Sequence, residues 1–430
     1  MPCAFSCFVI KIGRRNMKKR VLMLASVASM IDQFNMSNIR LMIEAGCQVH
    51  VACNFAEGNT CDSRRIQQLK GTLQKLGVVQ HQWDCPRGFQ SLRRCMRAYI
   101  QLWKLTGRYH FAWIHCHSPV GGVLARAAAH QRKTAVIYTA HGFHFFKGAP
   151  LKNWLLYYPV EKLLSYWTDV LVTVNREDYQ FAKRNMGAGR IYFIPGIGID
   201  IKKFQKQTEE TVHTACGQAE ETAYSACGQA EETVHTAYGQ AGEAVRIKYR
   251  IPKHAVLLLS VGELSRRKNH QAVIEALAEI GRTDLYYLIC GQGGLKEELA
   301  QQAHRLGIAD RVILPGFQQD VADMYRSADL FVFPSLQEGM PVALMEAMAA
   351  GLPCVVSDIR GNRDLIDEQG GKKFVVSKTG QLKEGIMYFL EHPKERALYG
   401  QHNQEVVTGY SIEVVQKRMR IIYAGMGKYY

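Results

Sequence analysis

Two glutamates eight residues apart, Glu338 and Glu346, offer the most specific chemistry in this 430-residue chain. Between them stand Gly339, Met340 and Pro341, and strong helix formers follow as far as Ala350. That order puts Glu338 just before a helix, Glu346 on its second turn, and the Gly339 and Met340 amides near the positive helix end. Such an end suits phosphate oxygens. An ionised carboxylate only accepts hydrogen bonds, so two of them beside an anion site suit two hydroxyl-rich groups on one diphosphate, a ribose and a hexose. The spacing alone also fits capping and surface charge. The ligand described by the chemistry is a nucleotide-sugar.

The elements that must hold these groups are legible around them. Asp329–Ser335 is an apolar run of strand length, and Pro341 suits a first helical turn because its missing N–H would be unpaired there. Gly351 supplies a left-handed stop, and Cys354–Ser357 reads as the next strand of a right-handed parallel crossover. Upstream, HAVLLLSVGEL runs into SRRKNH and then a helix from about Gln271 to Ile280, so cations cluster where a strand meets a helix.

The EGMP turn, the EAMAAGLPCVVSD helix and strand and the RGNRDLI tail resemble the E-x7-E region of the retaining glycosyltransferases of family 4. The resemblance runs, with interruptions, from about Arg20 to the C-terminus. It implies an α/β GT-B fold, two Rossmann-like doubly wound domains facing a central cleft, with nucleotide-sugar on the second and acceptor on the first. By resemblance Glu338 orients the hexose and Glu346 the ribose, and Lys268 matches the lysine that stabilises the leaving diphosphate. The family arginine falls on Glu263 here; Arg266 or Arg267 can supply that charge, and Arg266 is expected to join Lys268 in stabilising the leaving diphosphate. Gly316 and Phe317 match the stretch whose backbone meets the base. TAHGFHFFKG resembles the acceptor-side His-Gly loop, which places His141 in the cleft near the donor hexose and leaves His144 structural. The resemblance implies no metal and no secure carboxylate nucleophile, with a donor phosphate oxygen as the base.

Composition sets the outer bounds. Forty-seven per cent hydrophobic residues in 430 suffice for two cores. Twelve scattered cysteines without a C-x2-C pair read as buried apolar residues of a reducing, cytoplasmic compartment. His115 and His117 flank Cys116, but no further ligands are spaced to complete a metal site. The first strand, from Arg20, is followed by SVASMIDQFN without a glycine, which argues against a nicotinamide or flavin enzyme. No run is long enough to span a membrane, and residues 1–16 read as a non-native or disordered leader.

The net charge of +16 is unevenly placed: no acidic residue lies between Asp84 and Glu161. On the helix predicted over Ser91–Arg108, Arg93, Arg97, Lys104 and Arg108 share one sector, while Leu92, Met96, Tyr99, Ile100 and Trp103 share another. This is either a half-buried helix with a solvated basic face or a face for anionic lipid. The aromatic stretch after Lys147 reads mostly as core. Together with the resemblance to surface-polysaccharide transferases, the charge points to a polyprenyl-diphosphate-linked acceptor and a peripheral place on the inner face of the plasma membrane. The expected donor is a UDP-linked hexose or N-acetylhexosamine. A sugar-nucleotide epimerase of the same fold and a non-catalytic polyanion binder are the alternatives.

The expected organisation is a first domain over 17–200, a linker over 201–250, a second domain over 251–410 and a helix over 411–430 returning to the first. The linker holds three tandem 11-residue copies, Glu209 to Ala241, each with a glycine and β-branched residues, read as an insertion between domains.

Overall fold

The computed structural model describes residues 18–89, 91–205, 239–318 and 320–427. The leader lies outside these residues. So do the repeats, except Gly239–Ala241, which open the helix Gly239–Lys248.

Two parallel sheets carry the fold. The first is built from β1 (Arg20–Val27), β2 (Gln48–Asn54), β3 (Val79–Gln82), β4 (Trp113–His117), β5 (Ala135–Ala140), β6 (Val170–Thr173) and β7 (Arg190–Phe193), in the order β3-β2-β1-β4-β5-β6-β7. The second contains β8 (Val256–Val261), β9 (Leu285–Cys290), β10 (Val312–Gly316), β11 (Leu330–Phe333), β12 (Cys354–Ser357) and β13 (Gly371–Phe374), in the order β10-β9-β8-β11-β12-β13.

Strands buried on both faces favour near-continuous apolar runs, and the central strands β1, β8 and β11 show them. Val21, Met23 and Ala25 enter one core while Leu22 and Leu24 enter another, as the period of two requires. In the second sheet Leu257 and Leu259 part from Leu258 in the same way. Chain order reverses between β1 and β4 and again between β8 and β11, and sheets of this kind bind ligands beyond the strand ends at such points.

The last helix, Ile412–Met426, leaves the second unit and packs on the first. Its Val415, Met419, Ile422 and Tyr423 complete the core that holds Val21 and Met23. Arg420 reaches Glu44 at 2.9 Å on the surface.

The structure decides one helix face that the sequence left open and overturns an expectation about another. The helix Leu92–Tyr109 buries Cys95, Ala98, Leu102 and Thr106, while Leu92, Met96, Ile100 and Trp103 are exposed. Its neighbour, the helix Pro119–Arg132, buries small residues such as Gly121, Ala125 and Ala128, and their close approach favours the small stripe over the large one. The helix Leu151–Ser165, expected as core, buries only Leu164 and Ser165; Leu151, Leu155, Leu156, Val160 and Leu163 face outward.

Candidate functional site at the junction of the two sheets

The β11–loop–helix–β12 unit forms as its local sequence requires. Phe331 and Phe333 are buried in the strand, the helix spans Val342–Ala349, and Gly351 adopts φ +74° behind it. Pro341 stands one residue before the helix rather than inside its first turn, with φ −79° and ψ 116°.

Glu338 sits in a cationic clasp. One carboxylate oxygen accepts from Lys268 Nζ at 2.7 Å and from Arg267 Nη1 at 2.8 Å, and Arg267 also donates to the Gln337 carbonyl. Both arginines of the short helical turn Arg266–Lys268 are exposed, but it is Arg267 whose guanidinium reaches Glu338. Of the two candidates for the missing charge, Arg267 therefore meets Glu338 and Arg266 does not. Lys268 is buried against the Phe333 ring, 4.6 Å from its centroid, and burial lowers its pKa although Glu338 opposes the shift.

Glu346, on the second turn of the helix that follows, is half-buried, and its Oε2 lies 2.8 Å from the Tyr325 hydroxyl. Burial raises its pKa to about 7. Tyr325 also reaches the Ala343 carbonyl at 3.0 Å. The Tyr325 hydroxyl has one proton, which it can donate to the Glu346 carboxylate or to the Ala343 carbonyl.

At the ends of β8, β9 and β10 the chain passes through Gly262, Gly291 and Gly316. A Cβ on Gly291 would lie 1.7 Å from the Gly262 carbonyl oxygen, and Gly316 has φ +80°. Backbone is therefore presented at this edge without side chains, and Phe317, 61% exposed, follows it.

Across the junction, His141 directly follows β5 and belongs to a histidine chain. Its Nε2 lies 3.0 Å from His117 Nδ1, while His115 bridges Thr139 and Tyr423 of the last helix at 2.8 Å each. Burial lowers the pKa of His141 to about 4 and that of His115 to about 3, so both rings are neutral at pH 7. His115 and His117 thus serve packing and hydrogen bonding, and among the described residues no group of three His, Cys, Asp or Glu side chains could hold a metal.

The two lips touch through backbone. A Cβ on Gly339 would stand 1.8 Å from the His141 carbonyl oxygen, and one on Gly142 would stand 3.1 Å from Gly339 Cα. Arg360, which the sequence offered only as part of the RGNRDLI tail, fastens this contact. Almost wholly buried, it pairs with Asp178 of the first unit at 2.6 Å, donates to the Phe143 carbonyl, reaches the Glu338 carbonyl at 3.3 Å and lies over Phe146. Asp178 also accepts from the Phe143 amide. The partners lie 182 residues apart, so no local pattern could have paired them.

Arg93, Arg97, Lys104, Arg108 and Lys147 stand apart from this cluster, exposed on the helix Leu92–Tyr109 and on the loop after Phe146.

Comparison with known proteins agrees with this architecture. Residues 37–203 match the family described as Glycosyltransferase Family 4, and residues 243–406 match Glycosyl transferases group 1. Over 416 residues, 95% of this chain and 97% of the other, it is 31% identical to EpsD of Bacillus subtilis, a protein named as a glycosyltransferase. The chain belongs to the family 4 glycosyltransferases. It is a transferase of GT-B fold, and the non-catalytic alternative falls. Among solved structures, HepE of Anabaena, in complex with UDP and glucose, superposes with a TM-score of 0.72 at 16% identity, covering 95% of this chain and all of that one. The unmatched stretch between the two family regions, 204–242, contains the 11-residue repeats.

Proposed function

We propose that this glycosyltransferase moves a hexose or N-acetylhexosamine, with retention, from a UDP-sugar to a polyprenyl-diphosphate-linked glycan in surface polysaccharide assembly. The observation that carries this reading is the Lys268–Glu338–Arg267 clasp at the start of the Glu346 helix. Diphosphate oxygens arriving there compete with Glu338 for both cations, which frees Glu338 to accept hexose hydroxyls, while Glu346 accepts those of the ribose. Gly316, Phe317 and the Gly339 and Met340 amides complete the donor contacts, and Pro341 sets the loop that presents them.

Stabilisation of the leaving diphosphate falls to Lys268 and Arg267, an electrostatic role worth on the order of 10²–10³ in rate for one donor. Neutral His141 offers a hydrogen bond beside the transferred sugar rather than a charge. A phosphate oxygen of the donor takes the acceptor proton, and the protein's cations make a metal unnecessary.

The acceptor class rests on relatives and on surface chemistry. The chain is 27% identical, over 65% of its length and 66% of the other, to an Escherichia coli enzyme named UDP-Gal:alpha-D-GlcNAc-diphosphoundecaprenol alpha-1,3-galactosyltransferase. The exposed leucines of the helices Leu92–Tyr109 and Leu151–Ser165, flanked by Arg93, Arg97, Lys104, Arg108 and Lys147, suit an anionic bilayer surface. No helix among the described residues is long and apolar enough to cross one.

The test is heat stability and donor hydrolysis with UDP, GDP and their sugars. UDP at one hundred times its Kd should add about 2.7 kcal/mol, and Glu346→Ala should reduce the shift. No shift and no hydrolysis with any nucleotide-sugar would remove this reading.

A further inference from the structure

The segment that joins the two units brings a cation to the donor side that the Glu338 clasp does not use. Lys203 lies on the short helix Ile201–Phe204 and is the last residue of the first family region. Two contacts fix this helix on the second unit. Phe204 is buried, its ring 5.7 Å from that of Tyr325 and nearly perpendicular to it, and Arg326 donates to the Lys203 carbonyl at 2.5 Å and to the Gln205 carbonyl at 3.4 Å. Tyr325 is the residue whose hydroxyl meets Glu346. The backbone of Lys203 is therefore held beside the Glu346 carboxylate.

Its ammonium is held more loosely. Nζ lies 3.4 Å from Asp320 Oδ1, an oxygen that also accepts from the Ala322 amide at 3.1 Å, and both side chains are exposed. An exposed ion pair is worth about 0–1 kcal/mol, so a ligand oxygen can recruit Lys203 with little loss. Asp320 follows Gly316 and Phe317 on the loop whose backbone the proposed function assigns to the base. Lys203 is thus tied to that loop on one side and acts on Glu346 on the other: burial raises the Glu346 pKa, and the Tyr325 hydrogen bond and the Lys203 charge oppose the rise. Its neighbour Lys202 acts instead on Glu413, at the start of the last helix.

A vicinal diol needs both kinds of partner. A carboxylate accepts the protons of ribose hydroxyls and donates nothing, so the hydroxyl oxygens keep lone pairs that an ammonium with three protons can fill. Resting on the proposed function, we propose that Lys203 is a specificity-determining residue of the donor site: it leaves Asp320 to donate to a ribose hydroxyl whose proton goes to Glu346, and so favours ribonucleotide donors over deoxyribonucleotide ones.

The test measures the affinity of the full chain for UDP, 2′-deoxy-UDP and 3′-deoxy-UDP by calorimetry, in the wild type, Lys203→Met, Lys202→Met and Glu346→Ala. Methionine keeps the apolar stem of lysine and removes its ammonium. Lys203→Met should weaken UDP binding roughly tenfold. It should weaken at least one deoxy analogue less than about twofold, because that ligand lacks the hydroxyl concerned. Lys202→Met should leave all three affinities at the wild-type level. The pH at which UDP binding is half lost should rise in Lys203→Met, since Glu346 then ionises without a cation beside it. A merely structural role would not move that midpoint.

A wild type whose UDP binding is lost in Glu346→Ala and unchanged in Lys203→Met overturns the Lys203 contact and leaves the function standing. Equal weakening of all three ligands by Lys203→Met also overturns it, because the contact would then be with phosphate or base. A wild type that binds no uridine nucleotide removes the Lys203 contact together with the function.

Discussion

The two lips that meet at the junction are made from opposite materials. On the second sheet Lys268, Arg267 and Glu338 crowd charge into one cluster, with Glu346 beside it; on the first, His115, His117 and His141 are kept neutral by burial. A diphosphate needs concentrated cations, whereas a polyol needs donors and acceptors without net charge. The proposed division of labour between donor and acceptor sides rests on that contrast. Arg360 is the group that crosses it, binding Asp178 and Phe143 on the neutral side and the Glu338 carbonyl on the charged side.

The sharpest way to break the contrast is to empty the charged lip. Lys268→Ala should lower sugar transfer by about 10²–10³, measured as initial rates at saturating donor. A loss below tenfold would show that this cluster is not the diphosphate site.

Cutting the link should act next. Arg360→Ala leaves Asp178 buried without its partner, and denaturant unfolding should report a loss of about 3–5 kcal/mol. Asp178→Ala on that background should cost much less than it does alone, and an additive double mutant would refute the coupling.

Acid distinguishes the lips without mutation. The Glu346 carboxyl titrates near 7, and the proposed ribose contact needs it ionised. UDP affinity should therefore fall about tenfold from pH 8 to pH 6, as the ionised fraction drops, and Glu346→Gln should flatten the profile. For stability the sign is opposite. A carboxyl whose folded pKa lies above its unfolded value favours folding below the unfolded pKa, and that contribution is lost as pH rises through 7.

Smaller effects belong to the periphery. Leu155→Glu should reduce co-sedimentation with phosphatidylglycerol vesicles roughly tenfold, the value of burying about one leucine, while UDP binding is retained. The closest comparison is between neighbours: Arg267→Ala should weaken UDP binding by about 1.5–3 kcal/mol, and Arg266→Ala should stay within about 0.5 kcal/mol of the wild type. Equal effects would remove the distinction that the Arg266–Lys268 turn makes.

The sequence by itself determined the Glu338–Glu346 spacing, the strand, helix and strand around it, and the alternation of buried strands. Each depends on neighbours within a few residues: a glycine that accepts left-handed backbone at 351, a proline in extended backbone just ahead of the helix at 341, apolar positions repeating along a strand. Only the tertiary structure decided which arginine meets Glu338, which helix faces are covered, and that Arg360 finds Asp178. The exposed Leu92 and Leu155 faces follow from neighbouring elements, because a helix buries the stripe its partner can accommodate, and that partner is chosen by the fold rather than by hydrophobicity alone.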